Sequence, residues 1–366
     1  MINQVKRRDQ LSRLVLHGYK SIANCDLTLG RTNILIGANG AGKSNVIGFF
    51  RLINRLLARQ LQMAVGVAGG PDALLHFGRK KTPQLNAELH FGGSGYRLTL
   101  GPTEDNRMMF HKEALWCDGQ ADLDLSSGHF ESLTDSHKSE TEIYQRIMAA
   151  MRTWQPYHFH DTSATALVKQ IHNINDNEYL REDASNLAAF LLRLKNHHQE
   201  HYQRIVKTIR LVAPFFGDFH LRATVDNKDR IQLEWTEQGH DEPFPASALS
   251  DGTLRFVCLA TVLLQPEAFM PATVLIDEPE LGLHPFAVTI LAALIRSASE
   301  KHQLIISTQS VELVSEFTPE DLIVVDKHDG ATIFSRPDTQ TLSEWLCDYS
   351  LGELWKKNLL GGRPGR

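Results

Sequence analysis

The chain has 366 residues, 42% of them apolar and 22% charged, enough to bury a sizeable core and build two or three structural units. A formal net charge of −5 gives no global basic field to draw in nucleic acid. Cys25, Cys117, Cys258 and Cys347 form no C-x-x-C pair and no zinc-ligand spacing, which argues against a disulfide scaffold or zinc module and fits reduced thiols in the cytoplasm. The polar first ten residues and the short apolar runs predict neither a targeting signal nor a membrane span.

In chain order, residues 11–17 alternate as a strand, with a second strand over 25–29 and a short buried one over 32–36. Next comes Gly37-Ala38-Asn39-Gly40-Ala41-Gly42-Lys43-Ser44, the pattern G-x-x-x-x-G-K-S, and then apolar residues at helical spacing over 44–60. A glycine-rich turn between strand and helix turns backbone N–H groups toward one anion, and the helix N-terminus adds partial positive charge. Lys43 is positioned to reach the β and γ phosphates of a nucleotide, and the Ser44 hydroxyl to hold Mg²⁺. Lys20, in the turn after the first strand, either faces the nucleotide or is a solvated loop lysine.

A glycine-rich break at 66–71 precedes two alternating runs, 87–91 and 96–100, that predict a hairpin, and strands continue to about residue 127. A helix is expected over 139–154, an extended piece over 157–161, and one long helix over 185–212. His197, His198 and His201 share that helix, but no acid or cysteine completes a metal set, so a solvated face is the favoured reading. Residues 221–235 read as a hairpin turning at Asn227-Lys228.

The chain then becomes α/β. Ala248-Leu249-Ser250-Asp251-Gly252-Thr253-Leu254-Arg255 precedes an apolar helix, with Ser250 or Asp251 as its cap, and makes a second helix terminus able to bind an anion. Thr273-Val274-Leu275-Ile276-Asp277-Glu278-Pro279-Glu280 is an apolar run of the kind buried in a parallel sheet, ending in acids at the edge where α/β proteins bind ligands. Two carboxylates there are costly without a cation. Asp277 suits the water shell of Mg²⁺, and Glu278 suits activation of an attacking water. A helix over 283–300 leads to a buried strand over 303–307 that ends in Thr308-Gln309-Ser310. Two strands, at 322–326 and 331–334, a helix over 343–359 and a frayed tail complete the pattern.

The order P-loop, LSDGTLR, VLIDEPELGLHP, STQS resembles the ABC-type ATPase heads of the SMC, RecF and OLD (overcoming lysogenisation defect) proteins. It is similar above all to stand-alone bacterial ATPases of the RecF/OLD-like group, some of which serve anti-phage defence beside a nuclease, as in Septu. The resemblance implies an α/β P-loop NTPase of ABC-ATPase-like two-lobe form with mixed β sheets and a helical insertion. The lobes would be residues 1–135 and 216–366, and the insertion 136–215. It implies a homodimer that sandwiches ATP and Mg²⁺ and acts in DNA repair or defence, with DNA or an effector such as a nuclease as partner. Gly37 to Ser44 match the nucleotide loop. Ser250, Asp251 and Gly252 match the signature that grips the γ-phosphate held by the other subunit. Asp277 matches the Mg²⁺-linked acid, Glu278 the catalytic glutamate, Glu280 to His284 the loop at the dimer interface, and Gln309 the switch. Relatives often carry His at the switch position. Glutamine bonds a phosphate but carries no proton, so slow hydrolysis is expected. The Mg²⁺-sensing glutamine loop has two candidates, Gln155 and the 157–161 piece.

Two other readings stand beside this one. A regulatory sensor that rarely hydrolyses ATP is compatible with Gln309. A transporter ATP-binding subunit is disfavoured by LSDGTLR and by the long interval between Lys43 and Ser250.

Overall fold

The computed structural model describes residues 10–136 and 142–362. Arg13–Tyr19 (β1) and Ile22–Thr28 (β2) form a hairpin, and Thr32–Ile36 (β3) is buried throughout. Lys43–Leu57 (α1), Leu61–Ala68 (α2) and Pro71–Leu74 (α3) follow, then Leu85–His90 (β4), Ser94–Pro102 (β5), Met108–Cys117 (β6) and Leu123–Asp124 (β7). These strands form an antiparallel sheet in the order β2-β1-β4-β5-β6-β7, which includes the expected hairpin as β4 and β5.

Glu142–Arg152 (α4) leads into Pro156–Tyr157 (β8), and His172–Asn173 (β9) precedes two helices, Leu187–His197 (α5) and Gln199–Val212 (α6). The single helix expected over 185–212 is broken at His198, where φ is −138° and ψ is 54°. At the break the His198 ring sits edge-on to Phe269, with centroids 4.9 Å apart. Burial pushes the His198 pKa down. His201 Nδ1 meets the Leu264 carbonyl at 2.8 Å, so two of the three histidines make packing or backbone contacts. No group of three or more His, Cys, Asp or Glu suited to a metal occurs among the described residues.

Phe216–Phe219 (β10), Arg230–Ile231 (β11), Glu234–Glu237 (β12) and Pro243–Pro245 (β13) come next. The hairpin expected over 221–235 reduces to one bridge, Ala223 to Ile231, because β11 pairs with β9 and β12 lies between β10 and β13. Asp251–Leu264 (α7), Thr273–Asp277 (β14), Pro285–Ser299 (α8), Gln303–Thr308 (β15) and Val311–Val314 (α9) follow. Leu322–His328 (β16), Ala331–Ser335 (β17), Thr339–Trp345 (α10) and Leu351–Lys356 (α11) end the fold. The last helix therefore occupies two short pieces, because Ser350 and Glu353 form a capping box that starts α11 afresh.

The second large sheet runs β17-β16-β3-β15-β14-β8, parallel from β16 to β8 with β17 antiparallel at the edge. Its side chains divide by the period of two. Leu35, Leu275, Ile305, Ile323 and Val325 join the core containing α1 and the antiparallel sheet. Ile34, Ile36, Val274, Ile276, Leu304 and Ile306 join the core containing α5 to α8. Covering on both faces explains the continuous apolar runs Val274-Leu275-Ile276 in β14 and Leu304-Ile305-Ile306 in β15. No helix of the described residues is long and apolar enough to cross a membrane.

A buried acid braces the antiparallel sheet. Glu113, with 0% exposure, accepts from Tyr96 Oη at 2.7 Å, Ser132 Oγ at 2.6 Å and the Leu133 N–H at 2.9 Å. Burial and this carboxylate push the Tyr96 phenol well above its ordinary range. Replacing Glu113 with Ala strands all three donors and should lower stability by about 3 kcal/mol. Glu113→Gln keeps an acceptor and should cost clearly less, a ranking that urea denaturation can check.

Candidate nucleotide site

The loop at the end of β3 is shaped by close contacts. Gly42 has φ of +114°, and a Cβ there would lie 2.1 Å from Thr332 Oγ1. A Cβ on Gly37 would lie 2.1 Å from the Val325 carbonyl oxygen. Neither position admits another residue without moving backbone or β17. Helix α1 begins at Lys43 with no side-chain cap and no acid in its first turn. The Asn45 N–H donates to the Gly42 carbonyl at 3.0 Å, which leaves the N–H groups of Lys43 and Ser44 at the helix start for an anion.

Lys43 is buried, and its Nζ donates to the carbonyls of Gly37 at 2.6 Å and Ala38 at 3.1 Å. Ser44 is exposed. The rim is tied to β17: Thr332 Oγ1 donates to the Ala41 carbonyl at 2.7 Å and pairs with Ser21 Oγ at 2.7 Å, and Asn45 Nδ2 donates to Ser21 Oγ at 2.6 Å. The Ala38 N–H donates to the Gly362 carbonyl at 2.8 Å. Lys20 has φ of +47°, and its ammonium lies 5.6 Å from the Tyr19 ring centroid.

Strand register brings the later motifs to the same edge. Ile36 is level with Thr308, and Asp277 with Ser307, so the carboxyl ends of β3, β15 and β14 stand side by side. Ser307 Oγ donates to Asp277 Oδ1. Glu278 takes φ of +45°, and its N–H donates to the Ser307 carbonyl at 2.9 Å. Such a conformation costs about 1–3 kcal/mol for a residue other than glycine. Gln309 Nε2 donates to Glu278 Oε1. Glu280 Oε1 accepts from Thr308 Oγ1 at 2.7 Å and from the Gln309 N–H at 2.9 Å. Burial raises the Glu280 pKa, and these hydrogen bonds oppose the rise. Burial lowers the Lys43 pKa, opposed by the charges of Glu278, Asp277 and Glu280. An open groove of about 620 Å³ gathers Asn39, Glu278, Glu280, Gly282 and Gln309.

Ser250, Asp251 and Gly252 do not line this groove. Ser250 caps α7, accepting the Thr253 N–H at 3.2 Å, and Asp251 lies 3.8 Å from Lys169. A Cβ on Gly252 would lie 2.3 Å from the Gly282 carbonyl oxygen, so the start of α7 rests directly on the loop after Glu280.

Arg255 is the residue that sequence reasoning passed over. Its Nε and Nη2 donate to the carbonyls of Phe159 at 3.0 Å and His160 at 2.9 Å, and its Nη1 to Leu281 at 2.9 Å. One guanidinium thus ties α7 to two loops, a task that needs its fork of donors. The two glutamine-loop candidates separate here. Pro156 is level with Leu275, which puts Gln155 at the far end of β8, where it lines a different cavity beside Arg51 and Arg152. Residues 158–161 leave the carboxyl end of β8, and His160 Nε2 meets the Asp277 carbonyl oxygen at 3.1 Å.

A family model described as an AAA domain, putative AbiEii toxin, Type IV TA system, matches residues 32–315, from the start of β3 through α9. The chain belongs to this AAA-domain family. Solved structures extend the likeness in fold. An SMC head bound to the C-winged helix domain of ScpA is 16% identical, with a TM-score of 0.57 over 91% of this chain and 99% of that one. An SMC head with an extended coiled coil, bound to the C-terminal domain of ScpA and derived from Pyrococcus furiosus, is 15% identical, with a TM-score of 0.58 over 92% of this chain and 98% of that one. A head domain from Pyrococcus yayanosii is 13% identical, with a TM-score of 0.53. The AAA domain described here is therefore a P-loop ATPase with an SMC-head-like fold.

In this AAA domain, Arg255→Ala should release the loops at 158–161 and 279–284, raise their amide hydrogen exchange and lower stability by about 2–3 kcal/mol. Arg255→Lys should restore little, because one ammonium cannot span three carbonyls from two loops.

Proposed function

We propose that this AAA domain is an ATP-driven switch: two copies close around ATP and Mg²⁺, and hydrolysis reopens them. The observation that carries this reading is the shared register of β3, β15 and β14, which sets Lys43, Asp277, Glu278 and Gln309 at one sheet edge. Lys43 must exchange its contacts with the Gly37 and Ala38 carbonyls for phosphate oxygens when nucleotide enters. The N–H groups of Lys43 and Ser44 at the start of α1 take up the rest of the phosphate charge.

The donor set fits Mg²⁺. Ser44 offers an exposed hydroxyl and Asp277 a carboxylate, both hard oxygen ligands, with substrate phosphates completing the shell. The cation would supply neutralisation of charge on the transferring phosphoryl group. Glu278 would accept the proton of the attacking water, and Gln309 would bond the γ-phosphate. Ser250 to Gly252 lie outside this groove, which supports a role toward nucleotide held by a second copy. DNA or an effector such as a nuclease is the proposed partner, in DNA repair or anti-phage defence, and the cytoplasm the proposed setting.

A second reading, a sensor that rarely hydrolyses ATP, is favoured by one specific contact. The Gln309 amide already occupies an oxygen of Glu278, so the base is engaged before nucleotide arrives.

Phosphate release and mass in solution separate these readings. Lys43→Ala should abolish nucleotide binding. Glu278→Gln should retain binding, stall an ATP-dependent dimer and lose at least about 100-fold in turnover. Ser250→Arg should bind ATP yet remain monomeric. Dimers of Ser250→Arg in ATP would refute the sandwich, and a wild type that binds without turnover would favour the sensor. If DNA is the partner, its binding should weaken steeply with salt.

A further inference from the structure

Glu280 differs from the other acids at this edge in what it touches. One of its oxygens accepts both Thr308 Oγ1 and the Gln309 backbone N–H, at 2.7 and 2.9 Å. Its other oxygen is buried without a hydrogen-bond partner. The side chain of that same Gln309 reaches Glu278. The backbone around Glu280 is also held. The Leu283 N–H donates to the Glu280 carbonyl at 3.0 Å, and Arg255 grips the Leu281 carbonyl at 2.9 Å.

A third carboxylate beside Asp277 and Glu278 is an expensive way to hold a loop, since a neutral acceptor would serve as well. What a carboxylate adds is a charge-assisted grip on two donors of one segment. We propose that Glu280 is a positioning residue for hydrolysis, a latch that fixes the backbone of Gln309 so that its amide moves between Glu278 and the γ-phosphate about a stationary pivot. The latch also has a handle. Leu281 is 37% exposed, and Gly282 packs under the start of α7. Pressure on this loop, as from a second copy, is transmitted through Glu280 to Gln309 rather than to β14. This inference rests on the hydrolysis reading above, and its test is chosen to fail separately.

The test uses the full chain and two readouts. In steady-state hydrolysis, Glu280→Ala should lower kcat by about 10- to 100-fold while leaving KM for ATP within about twofold, as expected when a group is misplaced by a fraction of an ångström. Glu280→Gln, which keeps an acceptor oxygen but loses the charge-assisted grip, should recover only part of the loss. Thr308→Val should lose less, and adding it to Glu280→Ala should cost little more, because both changes cut one connection. In hydrogen exchange without nucleotide, Glu280→Ala should speed exchange over 308–311 and leave 273–277 unchanged. A folded Glu280→Ala protein with wild-type kcat, or with unchanged exchange at Gln309, overturns the latch. So does a rise in KM that matches the fall in kcat. A wild type that releases no phosphate refutes the hydrolysis reading, and the exchange result still decides whether the latch exists.

Discussion

Everything at the proposed site depends on one constraint, that three parallel strands end level. With Ile36 opposite Thr308 and Asp277 opposite Ser307, the loops that follow β3, β15 and β14 have nowhere to go but against one another. The register is fixed by packing on both faces. A slip of one residue would carry Ile305 into the core of α5 to α8 and Leu304 into the core of α1, reversing both faces at once. Each such buried aliphatic side chain is worth about 1.5–3 kcal/mol, so the hydrophobic layers hold the polar edge in line. The carboxylates contribute little to that alignment, and their mutual repulsion works against it. The charge of Lys43 and the donors of Ser307, Thr308 and Gln309 offset the repulsion.

The loops above this edge are tied to each other mainly through backbone carbonyls and amides. Arg255 holds Phe159, His160 and Leu281 by their carbonyls, Glu280 takes the amide of Gln309, and the Glu278 amide bonds the Ser307 carbonyl. Contacts of this kind fix where a loop runs and leave its side chains free to turn. That is the arrangement a switch needs: rigid paths with a few side chains that exchange partners. In the proposed switch Lys43 and Gln309 would be such side chains, since each now bonds a group of its own chain that nucleotide would have to displace.

How much of this was legible in the sequence follows from how local each feature is. The P-loop was legible because its chemistry lies in eight consecutive residues, of whose glycines Gly37 and Gly42 are crowded and Gly40 takes a positive φ. The apolar run before Asp277 was legible because burial on both faces leaves a continuous signature. The break at His198 was not, because it falls in a stretch with unbroken helical spacing, and the ring it packs against there, Phe269, lies far along the chain. Nor was the role of Arg255, whose partners arrive from two distant loops. Gln155 drew notice by its residue type, but only the pairing of Pro156 with Leu275 shows that it sits at the wrong end of its strand. The restart of the last helix was readable after all: Ser350 and Glu353 have the spacing of a capping box within an otherwise helical pattern.

Position 309 shows how composition and geometry limit each other. An imidazole at position 309 could share the proton of an attacking water, whereas an amide cannot. In the proposed reaction Glu278 must therefore take that proton alone, and its carboxylate is the group that Gln309 occupies. The two roles compete, because the amide that would bond the γ-phosphate must first leave the base. Its departure does two things together, freeing an oxygen of Glu278 and delivering a donor to the substrate. A glutamine held at its backbone by Glu280 can make that exchange by rotating its side chain. A loop free at its backbone would have to find both positions by diffusion of the whole segment. In that proposed reaction, slow turnover and tight gating would have one cause, a base that becomes available only when its own restraint finds a better partner.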